Sequence, residues 1–350
     1  MTHCAKYVQV VCLLASAVGV GGCAESDTQP RESIRDPLPL VSTITLKAEG
    51  EVSGAGRKGQ DVILTIVAPD QNPGPYGGTR FDWSGMVLQA RWNGHTFFAA
   101  GQLPPVGGHA EEFGTRNPLG YYEARVGETF LKIGVGQLRK PEEPRYWPDK
   151  HYEIVNAPRW RVIERPDSVE FFQEQVAVRG YAYEYRKKIT ISANPPGFMI
   201  ERELKNTGEK MLETNFSCYP AVALDGRVIG PEYRVGFNFP PRVRGGGKLP
   251  DANAEIRGNE LLFRHVLGEG LSPGGAITWD LEGYAQVETK EIRIGNRISG
   301  TQLTMLPDYG FFRFVLSATG ASISPQPHLE IALKPDEFKK WKTQFVFTGP

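Results

Sequence analysis

Tyr183-Glu-Tyr-Arg-Lys-Lys-Ile-Thr-Ile191, then the turn pair Pro196-Gly197, then Met199-Ile-Glu-Arg-Glu-Leu204 is the stretch that decides the fold. Two runs alternate apolar and polar residues with a period of two and are separated by residues that favour a reversal, which is the pattern of adjacent half-buried strands. The same unit recurs along the chain. Val62 to Val67, Met86 to Trp92, Thr129 to Val135, Val169 to Val178, Glu255 to Phe263, Phe311 to Leu316 and Thr343 to Phe347 all alternate. Asp225-Gly226, Arg257-Gly-Asn259 and Pro273-Gly-Gly275 punctuate them. No window carries a long 3.6-residue apolar period; Pro335 to Lys340, with Asp336 and Glu337 near its start, predicts at most one helical turn. So many strands without alternating helices predict an all-β chain, folded as one large antiparallel sandwich. No fixed-period repeat points to a propeller.

The N-terminus predicts an exported protein. One lysine precedes Val8 to Val20, an apolar run of 13 residues, too short to span a bilayer and suited to the core of a signal peptide. The run ends in Val20-Gly21-Gly22-Cys23, which resembles a bacterial lipobox with Cys23 as the lipidated residue. The expected organisation is a signal peptide over 1–22, a polar, proline-containing lipid-anchored tether over 23–40, and one domain over 41–350. The expected location is the bacterial periplasm or cell envelope, with the membrane reached only through the lipid anchor. Of four cysteines, only Cys218 falls in the body of the domain, so no internal disulfide is expected.

Forty basic residues balance forty acidic ones. No run of five like charges occurs, which argues against a nucleic-acid partner. There is no Gly-x-Ser-x-Gly elbow and no phosphate-cradling glycine loop. The expected state is a monomer without a cofactor.

Candidate chemistry concentrates in Tyr76-Gly-Gly-Thr-Arg-Phe-Asp-Trp-Ser-Gly85. On an isolated strand Arg80 and Asp82 point to the same face. Framed by Tyr76, Phe81 and Trp83, such a pair suits a polyhydroxylated ring, whose hydroxyls need fixed donors and acceptors and whose C–H faces favour aromatic surface; a structural ion pair is the competing reading. His109-Ala-Glu-Glu112 follows a proline- and glycine-rich loop, a junction where ligand-binding residues collect. His109 and Glu111 share a face there, and Glu112 is the preferred functional carboxylate. No third ligand at a recognisable spacing accompanies them, so no metal is expected. Tyr219 becomes a base only beside a cation such as Arg80, because a phenol ordinarily titrates near 10. Trp160 and Trp279 are the aromatic side chains expected to stack on a sugar, with a core role as the alternative.

Phe81-Asp-Trp-Ser-Gly-Met86 after Gly-Thr-Arg80, with Ala110-Glu-Glu-Phe-Gly114, Pro118-Leu-Gly-Tyr121 and Phe130-Leu-Lys-Ile-Gly-Val-Gly136, resembles bacterial proteins related to aldose 1-epimerases, within the galactose mutarotase-like superfamily. Leu204 to Glu213 and Ile323 to Pro335 resemble later segments of the same proteins. The resemblance spans roughly residues 45 to 347. It implies a mutarotase-like β-supersandwich with a carbohydrate site on the concave face of the larger sheet. It also implies a glutamate base in the late segment and histidines as acid and oxygen ligand. Here Ile323-Ser324-Pro325-Gln326 stands where that glutamate is expected, and Cys218 and Tyr219 stand where a histidine is. Arg80 alone matches, and Gln326 joins the expected sugar contacts. The sequence therefore predicts an exported carbohydrate-binding protein with altered or lost epimerase chemistry. The alternative is an active epimerase or lyase-like enzyme using Glu112, Tyr219 and Arg80.

Overall fold

A computed structural model describes residues 43–50, 61–69, 78–100, 107–157, 159–245, 253–268 and 276–350. The expected signal peptide, Cys23, the tether and Tyr76 lie outside the described residues. All described residues fall within one compact unit.

The alternating runs form two ten-stranded antiparallel sheets. In the first, the strands run in the order Thr43–Ala48, Val62–Val67, Val87–Trp92, His109–Phe113, Leu212–Pro220, Ile323–Leu333, Arg313–Ala318, Ile277–Glu282 and Arg242–Val243, with His95–Thr96 paired off Val87–Trp92. The second runs Ala254–Arg257, Glu260–Phe263, Tyr233–Phe237, Ile292–Asn296, Gln302–Pro307, Phe338–Thr348, Pro196–Asn206, Tyr181–Ala193, Ser168–Val178 and Trp160–Glu164. The stretch that opened the reading sits in the second sheet as a hairpin paired from Tyr183↔Asn206 to Ala193↔Pro196. Pro335 to Lys340 does not turn into a helix. Pro335 and Asp336 make a turn, with Asp336 at φ 65°, and Phe338 already begins the last strand. That strand is claimed by neighbours on both sides, and ladder hydrogen bonds override the weak local helix signal.

The sheets pack through their apolar parities. Phe113 and Phe216 of the first sheet meet Trp341 of the second edge-on, and His109 of the first meets Phe345 of the second with ring centroids 5.3 Å apart. A third, three-stranded sheet (Thr129–Lys132, Gly136–Arg139, Ile154–Asn156) has its own small core of Trp83, Tyr121, Phe130, Val135, Leu138, Tyr146 and Tyr152. The third sheet delivers Lys132 to the candidate site.

Candidate functional site

The strand His109–Phe113 divides the chemistry by parity, since successive side chains of a strand point to opposite faces. His109, Glu111 and Phe113 face the second sheet: His109 meets Phe345, Glu111 meets Arg202 and Phe113 meets Trp341. Ala110 and Glu112 face outward from the sandwich.

The inward parity holds a buried ion network. Lys187 Nζ lies 2.9 Å from Asp82 Oδ2 and 3.0 Å from Glu111 Oε2, and donates to the Ser84 carbonyl at 2.6 Å. Arg202 grips Glu111 through Nε, 3.0 Å from each carboxylate oxygen, and through a terminal amine. Tyr185 and Ser84 donate to Asp82. Burial raises Asp82 above the usual carboxylate range despite Lys187. Burial acts the same way on Glu111, but Arg202 and Lys187 together hold it well below that range. Desolvation lowers His109, overriding its Glu111 contact at 3.2 Å. These groups bind one another inside the sandwich, so Asp82, His109 and Glu111 are buried away from the outward face rather than gathered with Arg80 and Glu112.

This corrects the expectation that Arg80 and Asp82 share a face. The segment is not a strand. Trp83 Nε1 donates to the Gly78 carbonyl, the Thr79 hydroxyl donates to the Lys150 carbonyl, and Ser84 caps Asp82. Local hydrogen bonds thus replace the ladder on which alternation depends. Gly134, at φ +78°, allows the fit; a Cβ there would stand 2.5 Å from Asp82 Oδ1.

Arg80 turns the other way. Its Nε donates to Glu112 Oε2 at 3.1 Å, while its terminal amine reaches Asp149. The guanidinium lies 4.7 Å from the Phe81 ring centroid and 5.2 Å from that of Tyr219, a cation–π arrangement. Lys132, fully buried, donates to Glu112 Oε1 and to the Gly114 carbonyl, both at 3.2 Å. Burial lowers the Lys132 ammonium, and Glu112 opposes that shift. Burial first, and then Glu112, pushes the Tyr219 phenol up. Tyr219 is therefore a protonated donor at neutral pH and not a base, even with Arg80 beside it.

Register extends this face across three more strands. Glu112 pairs with Ser217, Ser217 with His328, and His328 with Arg313. The Val222↔Ile323 bridge continues the Ser217↔His328 register and so sets Tyr219 beside Gln326. Thus Arg80, Glu112, Tyr219 and Gln326 share one face, joined by Lys132, whose strand position in the sequence marks it as able to neutralise a sugar carboxylate, and by Ser217 and His328, which sequence reasoning did not select. The missed signal was parity: Ser217 is two residues before Tyr219, and His328 two after Gln326. The Ser217 hydroxyl and His328 Nε2 are buried and have no hydrogen-bond partner among the described residues. Desolvation first, then Arg313, lowers His328 to about 4, so the ring is neutral at pH 7.

The two tryptophans are not at this face. Trp279 is 1 % exposed, in the core against Phe263, because its strand places that parity inward. Trp160 lies on the edge strand of the opposite sheet, packed on Tyr185. Phe312, exposed and edge-on to His328 at 5.9 Å, is the aromatic side chain beside the row. Among the described residues no three His, Cys, Asp or Glu side chains gather as a metal-binding set.

The sandwich can be compared with solved structures. It superposes on the aldose epimerase homologue from C. elegans with a TM-score of 0.54 and 12% identity, covering 88% of this chain and 99% of that one. It matches a galactose mutarotase-like protein from Lactobacillus casei ATCC 334 with a TM-score of 0.52 and 12% identity, covering 88% of this chain and 100% of that one. The chain shares its fold with these two solved structures. No protein-family model and no curated protein matches the chain. The fold is shared at an identity where side-chain roles do not transfer, so the polar row must be read on its own chemistry.

Proposed function

We propose that this chain is an exported, lipid-anchored carbohydrate-binding protein of the bacterial periplasm or cell envelope, and that it holds a sugar or glycan on the outward row without catalysing mutarotation. The observation that carries the reading is the state of Glu112: Arg80 engages one carboxylate oxygen and Lys132 the other. Mutarotation needs a base to remove the anomeric proton and an acid to protonate the ring oxygen. A carboxylate held between two cations is poorly placed as that base, and Tyr219 keeps its proton. The same groups suit binding: Arg80 and Tyr219 donate, Gln326 both donates and accepts, and Ser217 and His328 offer buried polar atoms without a hydrogen-bond partner among the described residues.

A second reading, an epimerase or lyase-like enzyme, draws on one observation. His328 carries a ring nitrogen, without a hydrogen-bond partner among the described residues, on the same face as Glu112. Calorimetry against a panel of monosaccharides and glycans tests the binding reading, and polarimetry with glucose and galactose tests the catalytic one. Binding without faster mutarotation is expected. Mutarotation above the buffer rate would overturn the non-catalytic reading, and a panel with no binder would overturn the sugar reading itself.

A further inference from the structure

Beyond the row, the outward face carries an arginine cluster that the preceding reading does not use. Asp280 is shared by two arginines: Arg244 Nε lies 3.0 Å from Oδ1 and Arg313 Nε 2.8 Å from Oδ2. Arg244 spends a terminal amine on the Tyr284 hydroxyl at 3.1 Å and the Phe312 carbonyl at 3.4 Å. Both terminal amines of Arg313 are without a hydrogen bond among the described residues. Arg242 and Glu282 stand alongside, 3.9 Å apart. Three arginines against two carboxylates leave the patch at 3 − 2 = +1. Arg313 is directly opposite His328, a residue 6% exposed whose Nε2 is buried and has no hydrogen-bond partner among the described residues.

The patch has an extra cation, and the Arg313 terminal amines stand opposite a buried ring nitrogen that has no hydrogen-bond partner among the described residues. A guanidinium with both terminal amines free offers two parallel N–H donors, the geometry that matches a carboxylate or phosphate fork to fork. We propose that Arg313, supported by Arg244 and Asp280, forms a subsite for an anionic substituent of the bound saccharide, with His328 at its inner wall. The proposal rests on the saccharide reading and narrows it to acidic sugars.

The full-length protein is titrated calorimetrically with a uronate oligosaccharide, its carboxyl-reduced neutral counterpart and a hexose 6-phosphate. At least tenfold tighter binding of an acidic ligand than of the neutral one is expected, weakening as salt rises. The tighter of the two acidic ligands identifies the anion as carboxylate or phosphate. Arg313→Gln is expected to bring the acidic ligand down about tenfold, with Arg313→Lys intermediate because it keeps the charge but loses the fork. Thermal melting of both variants shows whether they are folded, and Arg244→Gln provides a second route to the same loss. Equal affinity for neutral and acidic ligands would overturn the subsite while sparing the saccharide reading. No binding of any of the three would overturn both.

Discussion

Replacing Lys187 with methionine tests the interlayer ion network. The side chain is 1 % exposed and serves two carboxylates and a carbonyl. Asp82 and Glu111 are balanced by Lys187 and Arg202, so the cluster is neutral. Lys187→Met leaves a net negative charge in the sandwich. Breaking a buried pair from one side costs about 3–5 kcal/mol, a large part of a domain stability of about 5–15 kcal/mol. With an unfolding entropy of about 2.1 cal/mol/K per residue over roughly 300 residues, a loss of about 4 kcal/mol lowers Tm by about 6 °C. Burial already pushes Asp82 up, so part of the cost appears as proton uptake by that carboxyl. Lys187→Met with Asp82→Asn restores neutrality, leaving Glu111 with Arg202, and should recover part of the loss. Denaturant unfolding of the single and double variants measures this coupling. If Lys187→Met unfolds at the wild-type midpoint, or if the double variant loses the sum of the two singles, the network is not what holds these strands.

Two further outcomes follow from the same geometry. Arg80→Ala should abolish saccharide binding in a folded protein, since Glu112 keeps Lys132 as its partner; unchanged calorimetric binding would discard the role of Arg80. Acid should destabilise the fold through its buried histidines. His109 and His328 are both lowered in the folded state, so each contribution is present above the ordinary histidine value near 6.5 and is lost as pH falls below it. For His328 the window runs down to about 4, which is worth up to about 3 kcal/mol at 1.36 kcal/mol per pH unit. His328→Phe should flatten that slope in unfolding midpoints taken from pH 7 to 4, and an unchanged slope would contradict the burial argument.

The strands were legible because alternation and turn chemistry are local. Strand order was not, since nothing local to Phe338–Thr348 states that it lies between Pro196–Asn206 and Gln302–Pro307. The same divide runs through the site. Arg80, Glu112, Tyr219 and Gln326 could be named from the chain and stand on one face. Asp82 could not be placed, because its orientation depends on a loop folded against Gly134 and Lys187, both distant in sequence. Ser217 and His328 acquire interest only once register lines them up with Glu112, and register is a property of partner strands.

Register also makes a sharp prediction about two adjacent residues. Ser217 lies on the outward parity with a hydroxyl that has no partner among the described residues. Cys218 points inward, fully buried, with Sγ 3.9 Å from the Tyr309 hydroxyl. Ser217→Ala removes an unsatisfied buried hydroxyl, a change that is nearly neutral or favourable for stability. If that hydroxyl waits for a ligand, its loss forfeits about 0.5–1.5 kcal/mol of binding, roughly a two- to tenfold weaker Kd. Cys218→Ala does the reverse: it removes packed sulfur between the sheets, costing on the order of 1 kcal/mol of stability, and leaves saccharide affinity alone. Melting and calorimetry on both variants therefore form a two-by-two test. If Ser217→Ala lowers stability with affinity intact, or if Cys218→Ala weakens binding in a folded protein, the division of this strand into a structural and a ligand-facing side is wrong. The outward row would then lose its claim to be a site.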